Sequence, residues 1–338
     1  METADVLVLG LGPAGAAAAA EAARRGCRVI ALDRKREAGL PVQCAEFVPA
    51  LLEVDAHAVR QHVASMVTFV EDDAPEVKSD FPGRMLDRAA FDKSLVDEAA
   101  RAGVDTRFSC LVARICPQGV IETSAGKRFR APVIVGADGP RSRAGRAIGA
   151  VNRELVETRQ ITVPLVEAHA ATDIFLSAAI PGGYGWLFPK GEVANLGAGV
   201  SPPFKARLKS IVARLHSNLV KEGRVSVAVS SLTGGAIPVG GMLKSWGFLD
   251  DTLVLLAGDA AGLANPVTGA GIAAAVHSGR LAGQAAATRK FEQYAEELED
   301  VYRAALERAL ARRRELMRSS LEKSALRRAW IAYPEYWQ

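Results

Sequence analysis

The sequence predicts a mixed α/β (α+β mixed) protein: a discontinuous nucleotide-binding core, an inserted and mostly antiparallel β-sheet, and helices at the C-terminal end. Three observations predict it. Apolar runs at residues 6–9, 133–136 and 252–257 each stop at a glycine-rich turn before a helical pattern. Between the second and third runs, from about residue 155 to 239, short strand-like segments replace the helix–strand alternation. Beyond residue 289 the pattern becomes helical and strongly charged.

The first run opens into Gly10-Leu11-Gly12-Pro13-Ala14-Gly15, then an alanine-rich helix and a second strand that ends in Asp33 followed by Arg34. This G-x-G-x-x-G has strand, helix, strand and acid in register. Asp33 follows Gly10 at close to the roughly 20-residue spacing at which a strand-end carboxylate meets a ribose. A Rossmann-type dinucleotide site is the reading, with a glycine turn serving only helix–strand packing as the alternative.

The third run leads into Gly258-Asp259-Ala260-Ala261-Gly262 and then Pro266-Val267-Thr268-Gly269-Ala270-Gly271-Ile272, before a helix to about residue 287. A helix start offers unpaired backbone N–H groups and a partial positive charge, which suits phosphate or a negatively charged ring. Asp259 supplies an acceptor for a ribose hydroxyl. The second run ends in Asp138-Gly139, with Ser142 ahead of a short helix. Three strand ends from distant parts of the chain therefore converge on one ligand at the carboxyl edge of one sheet.

Four other segments carry candidate chemistry. Residues 39–49 read as a loop holding Cys44, which is either a contact for substrate or flavin or a small packed hydrophobe. A helix from residue 88 to about 102 has Asp87 as candidate N-cap and Phe91, Leu95 and Ala99 on one stripe. Arg88 sits in its first turn, against the helix dipole, which a phosphate or acidic partner would explain. Residues 104–107, 111–115, 120–123 and 128–130 read as a meander of short strands. Within the inserted sheet, strands are expected at 160–165, 173–179, 185–188, 193–200 and 225–229, with one helix at 204–220. Tyr184, Trp186 and Phe188 alternate there, so a strand puts all three on one face: either core, or a wall against a flat ring and an apolar substrate.

Composition narrows the class. At 338 residues, 49% hydrophobic and 24% charged, the chain is globular and long enough for two domains sharing one site. A net charge of +4 is too mild to indicate nucleic acid, so no nucleic-acid partner is expected. The four cysteines (Cys27, Cys44, Cys110, Cys116) form no metal-site spacing, so no metal is expected. The first apolar run lacks a basic flank and is broken by glycines, and no later run reaches the roughly 20 residues of a span. A cytoplasmic protein with reduced thiols is the expectation.

The tail from Arg289 carries Arg303, Arg308, Arg312, Arg313, Arg314, Arg318, Lys323, Arg327 and Arg328, an apolar stripe of Leu306, Leu310, Met317 and Leu321, and a terminal Trp330, Tyr333, Tyr336 and Trp337. It reads as a helix packed on the core, or as a dock for a partner protein or an anionic membrane surface.

Taken together, Gly10-x-Gly12-x-x-Gly15 with Asp33, Arg88-x-x-Phe91-Asp92-x-x-Leu95, Gly136-Ala137-Asp138-Gly139 with Ser142, and Gly258-Asp259-Ala260-Ala261-Gly262 resemble the para-hydroxybenzoate-hydroxylase-like flavoproteins. Pro41-x-x-Cys44-x-Glu46 and Pro181-x-x-Tyr184-x-Trp186-x-Phe188-Pro189 resemble the geranylgeranyl reductase family. That resemblance implies an FAD-dependent oxidoreductase that saturates C=C bonds of an isoprenoid or other apolar substrate. It implies that Gly10, Gly12, Pro13, Ala14, Gly15, Asp33 and Arg34 hold the ADP half, Arg88 the pyrophosphate region, and Asp138, Gly139, Gly258 and Asp259 the ribose and ribityl side. It further implies that Gly269, Ala270, Gly271 and Ile272 face the flavin ring with Cys44 nearby, and that Tyr184, Trp186 and Phe188 line the substrate channel. The basic last helix departs from the family pattern, where a further apolar domain is expected.

The expected organisation is an FAD-binding domain of residues 1–150 and 250–290, a substrate domain of 151–249 and a basic helical segment of 291–338. The alternatives are an aromatic monooxygenase on the same fold, and an electron-transfer subunit docking through the tail. No second G-x-G-x-x-G is present in the sequence, so the reductant is expected to be transiently bound NAD(P)H, a ferredoxin or another carrier.

Overall fold

The computed structural model describes residues 1–50, 52–319 and 322–338. Its centre is a six-stranded sheet in the order Trp246–Leu249, Thr252–Leu256, Val133–Gly136, Val6–Leu9, Val29–Leu32, Asp105–Arg107. Every neighbouring pair is parallel except the hairpin Trp246–Leu249/Thr252–Leu256. The four inner strands are continuous buried, mostly apolar runs because both faces of the parallel sheet are covered there. Leu9 pairs with Gly136 and Gly136 with Leu256, so the three predicted runs end level, side by side, at one carboxyl edge.

One face is covered by the helices Pro13–Arg24 and Ile272–Thr288, which approach backbone to backbone. A β-carbon on Gly279 would lie 2.2 Å from the Ala14 oxygen, and one on Gly283 2.3 Å from the Ala18 oxygen. Small residues on both helices thus set the depth at which the two glycine-rich turns sit.

Of the four segments expected to form a meander, Val112–Ile115, Val120–Thr123 and Arg128–Arg130 do so, with Glu2–Thr3 as a fourth strand. The first segment, Asp105–Arg107, instead pairs with Val29–Leu32 and ends the parallel sheet.

The second large sheet has the order Ser231–Thr233, Leu155–Pro164, Val193–Val200, Gly185–Lys190, Ala171–Leu176, Ser65–Val70, Glu76–Lys78, with Ala236–Pro238 also on Leu155–Pro164. It is antiparallel except where Ala171–Leu176 runs parallel to Ser65–Val70. Residues 65–78, grouped with the first segment on sequence, therefore complete this sheet. The helix Leu208–Lys221 covers one face, and the turn before it, Pro202–Arg207, is 3-10 rather than part of the α-helix. The expected strand at 225–229 reduces to one bridge, Leu165 to Val225, and Val227 and Val229 stand in solvent. A valine-rich segment becomes a strand only where a partner edge continues beside it.

A smaller sheet of Phe47–Pro49, Gly83–Leu86 and Val59–Val63 joins the two large ones. The tail forms a 28-residue helix, Phe291–Arg318, that buries Tyr294, Leu298, Leu306, Ala309 and Arg313 along one face. Leu310 is half-buried, Met317 is exposed, and Leu321 lies outside the described residues. Among the described residues no helix is long and apolar enough to cross a membrane.

Candidate active site

A cavity of about 430 Å³ opens where the carboxyl edge of the parallel sheet meets the second sheet. Its cofactor side is built from the predicted turns: Gly12, Pro13, Ala14, Gly139, Asp259, Gly269, Ala270, Gly271 and Ile272 line it. Gly15 explains why the first turn can form, since a β-carbon there would lie 1.8 Å from the Gly10 oxygen. By contrast, a β-carbon on Gly12 would meet nothing within 4 Å, leaving backbone open to a ligand. Gly271 caps the helix Ile272–Thr288 with no side-chain hydrogen bond to its first turn, so those N–H groups are available to an anion.

The acidic residues divide into two kinds. Asp259 lines the cavity, where burial pushes its carboxyl up to about 6 while Arg88 partly opposes the shift. Asp33 and Asp138 do not line it. The Asp33 carboxylate accepts from the Leu11 and Lys35 backbone N–H groups, both at 2.7 Å, and so shapes the glycine turn. Asp138 accepts from the Ser142 hydroxyl at 2.5 Å and from the Arg143 N–H at 2.7 Å. Asp138 therefore sits at the start of the short helix Arg143–Ala147, its oxygens shared with Ser142 and Arg143. Gly10, Gly15, Arg34 and Gly258 also lie outside the cavity lining.

The opposite wall carries Cys44, Tyr184, Trp186 and Phe188, all lining the cavity. The aromatic alternation holds: ring centroids are 5.7 Å apart for Tyr184–Trp186 and 6.4 Å for Trp186–Phe188. Gln160 ties this wall to the Cys44 loop, accepting from Trp186 Nε1 at 3.0 Å and donating to the Cys44 oxygen at 3.1 Å. Tyr184 donates to the Thr268 oxygen at 2.6 Å, joining the aromatic strand to the loop before Gly269, and burial pushes its phenol well above the usual range.

Arg88 lines the cavity from its helix start, with Asp87 capping as expected at 3.0 Å from the Ala90 N–H. Burial disfavours its charge, but Asp92 and Cys44 beside it outweigh that and hold it cationic. The bidentate bond to Asp92, at 3.0 and 3.1 Å, is the acidic partner that its position in the first turn called for.

Three participants were less visible on sequence. Glu46 follows Cys44, lines the cavity and is 3% exposed, with φ of 72°. Its carboxylate accepts from the Arg88 N–H, from Lys190 Nζ and from Asn195 Nδ2 at 2.8–3.0 Å. A non-glycine residue in the left-handed region persists only where its surroundings over-determine it, and these three partners do so. Trp330 and Ile331 of the tail close the cavity, with Trp330 packed 4.8 Å from Tyr184. The run of aromatics at the chain end was the signal for them; where they pack was not.

The fold and this site define a flavin-dependent oxidoreductase, and the residues present fit FAD. The first turn is a cradle that a β-carbon would fill, the helix start is uncapped, and Asp259 and Arg88 supply an acceptor and a cation.

Residues 155–236 match the family model described as geranylgeranyl reductase catalytic domain. The digeranylgeranylglycerophospholipid reductase of Methanosarcina acetivorans is 30% identical over 329 residues, 88% of this chain and 79% of that protein. Digeranylgeranylglycerophospholipid reductase 2 of Methanopyrus kandleri is 35% identical over 308 residues, 84% and 76% respectively. A geranylgeranyl bacteriochlorophyll reductase-like protein from Thermoplasma acidophilum superposes with a TM-score of 0.83 at 26% identity, covering 99% of this chain and 92% of that one. A probable FAD-dependent monooxygenase from Pseudomonas aeruginosa shares the fold, with a TM-score of 0.69 at 16% identity over 96% and 98%. The chain belongs to the geranylgeranyl reductase family.

Proposed function

We propose that this enzyme saturates C=C bonds of a lipid-linked isoprenoid. The observation that carries the reading is the wall of Tyr184, Trp186 and Phe188, backed by Phe47, Met66 and Ile174, facing the uncapped helix start across one cavity. An apolar chain fits such a wall, and the relatives named above are digeranylgeranylglycerophospholipid reductases.

Reduced FAD supplies the hydride when bound. The chain's own residues orient and enclose: the Gly271 and Ile272 end of the helix favours negative charge on the ring, and the aromatic wall holds the alkene and excludes water. The second hydrogen of the product arrives as a proton. That proton comes from a nearby acid or an ordered water. Glu46 is already bonded to Lys190 and Asn195, and the Tyr184 hydroxyl donates to the Thr268 oxygen. Electrons reach the flavin from NAD(P)H bound transiently or from a ferredoxin-like carrier.

The test is anaerobic. The purified protein is photoreduced, and isoprenoid alkenes or phenols are added without oxygen. Reoxidation of the flavin by an alkene supports the reading; no response to any alkene overturns it.

A further inference from the structure

Arg313 stands apart from the other cations of the tail. Arg312 is paired with Glu315 and bonded to the Tyr336 and Glu335 oxygens, and Arg314 is paired with Glu154. Arg313 is 8% exposed, on the buried stripe of the helix Phe291–Arg318. Its guanidinium donates to the Gly182 oxygen at 2.8 Å, to the Pro266 oxygen at 3.5 Å and to the Ser201 hydroxyl at 3.4 Å. Among the described residues no carboxylate is in ion-pair contact with it, and Glu154, which acts on it through space, is taken up by Arg314.

A buried guanidinium held only by neutral acceptors is a poor stabilising device, because desolvation of the charge is not repaid by an opposite one. Its position suggests another use. Gly182 belongs to the turn that leads into Tyr184, and Pro266 begins the loop that leads into Gly269 and the uncapped helix. Tyr184 bonds Thr268 within the same loop. Arg313 and Tyr184 therefore clasp the aromatic strand to the cofactor loop at two points. Between them lies a second cavity of about 30 Å³, lined by Arg313, Thr268 and Gly269 among others. Tyr184, Trp186, Thr268 and Gly269 line both cavities, so Arg313 stands one layer of residues behind the wall of the main one.

We propose that Arg313 is a positioning residue whose uncompensated positive charge, clamped behind the Pro266–Gly269 loop, raises the reduction potential of the bound flavin. The charge adds to the field of the helix start and favours the electron-richer form of the ring, through low-dielectric protein that screens it weakly. The inference rests on the FAD-binding reading.

The experiment measures the flavin midpoint potential by anaerobic spectroelectrochemistry of the FAD-loaded protein, with FAD affinity recorded beside it. Arg313→Met removes the charge. Ser201→Asp leaves the arginine in place and sets a carboxylate against its guanidinium. Arg313→Lys keeps a cation. The expected result is that the first two variants lower the potential by about 30 mV or more, a tenfold change in the two-electron equilibrium, while the lysine variant stays near the parent. If Arg313→Met does not accumulate folded, Ser201→Asp decides alone. A parent-like potential in Ser201→Asp, or in a folded Arg313→Met, overturns the proposal and leaves FAD binding intact. A parent that takes up no FAD overturns the underlying reading instead.

Discussion

Replacing Asp259 by Asn should strengthen the FAD-free fold and weaken its hold on FAD, with the first effect governed by pH. Burial holds the Asp259 carboxyl at about 6 against an ordinary 3.8. At 1.36 kcal/mol per pH unit of displacement, keeping it ionised costs the fold up to ~3 kcal/mol. The carboxylate opens on the cavity, where water screens it, so ~2 kcal/mol is the working figure. The folded state binds this proton more tightly than the unfolded chain. Its contribution to stability is therefore fully present below the unfolded value near 4, and is lost as pH rises through about 6. Urea unfolding of FAD-free parent and variant should coincide near pH 4, and the Asn variant should be ~2 kcal/mol more stable at pH 8. FAD titration by fluorescence quenching should show at least tenfold weaker binding, because a neutral amide oxygen replaces the charged acceptor for a ribityl or ribose hydroxyl. An Asn variant that is no more stable than the parent at pH 8, or a stability difference that does not change between pH 4 and pH 8, would refute the reasoning.

Three further outcomes follow from the same geometry. Tyr184→Phe removes the 2.6 Å bond to the Thr268 oxygen and leaves a half-buried carbonyl without that partner, so it should cost ~1 kcal/mol in chemical denaturation and loosen FAD binding. Gly15→Ala drives a β-carbon against the Gly10 oxygen, so the purified variant should be colourless even in excess FAD. Trp186→Phe keeps an aromatic face but breaks the link through Gln160 to the Cys44 loop; alkene-dependent reoxidation should slow by tenfold or more while FAD affinity changes little.

The parts of the fold readable in the sequence were those whose signal is local. A short apolar run ending in glycine states both where a strand stops and that backbone must pass close to something, which is why Gly12, Gly139 and Gly269 were found. The alternation of Tyr184, Trp186 and Phe188 likewise declares a shared face before any partner is known. What stayed hidden depends on remote neighbours. Nothing near Ser65–Val70 says that its partner is Ala171–Leu176. Asp138 looks like Asp259, an acid at the end of a buried strand, and its bonds to Ser142 and the Arg143 N–H, which set it apart, depend on the helix start that follows. The arginines of the tail look alike in sequence; Arg313 differs because its place on the helix face coincides with the apolar stripe of Leu306 and Ala309. Glu46 gave no sign of its strained backbone, which is held by Lys190 and Asn195 from another sheet.

The measurement that bears most directly on the proposed chemistry is the mass of the product. The protein, loaded with FAD and supplied with dithionite under argon, is incubated with a lipid carrying geranylgeranyl chains, and the extracted lipid is weighed by mass spectrometry. The proposed reaction predicts a gain of two hydrogens for each double bond lost, with both from solvent when the reaction is run in deuterium oxide, because dithionite supplies only electrons and the flavin N–H exchanges with water. A lipid recovered unchanged, or one that gains an oxygen atom only when air is admitted, would contradict it.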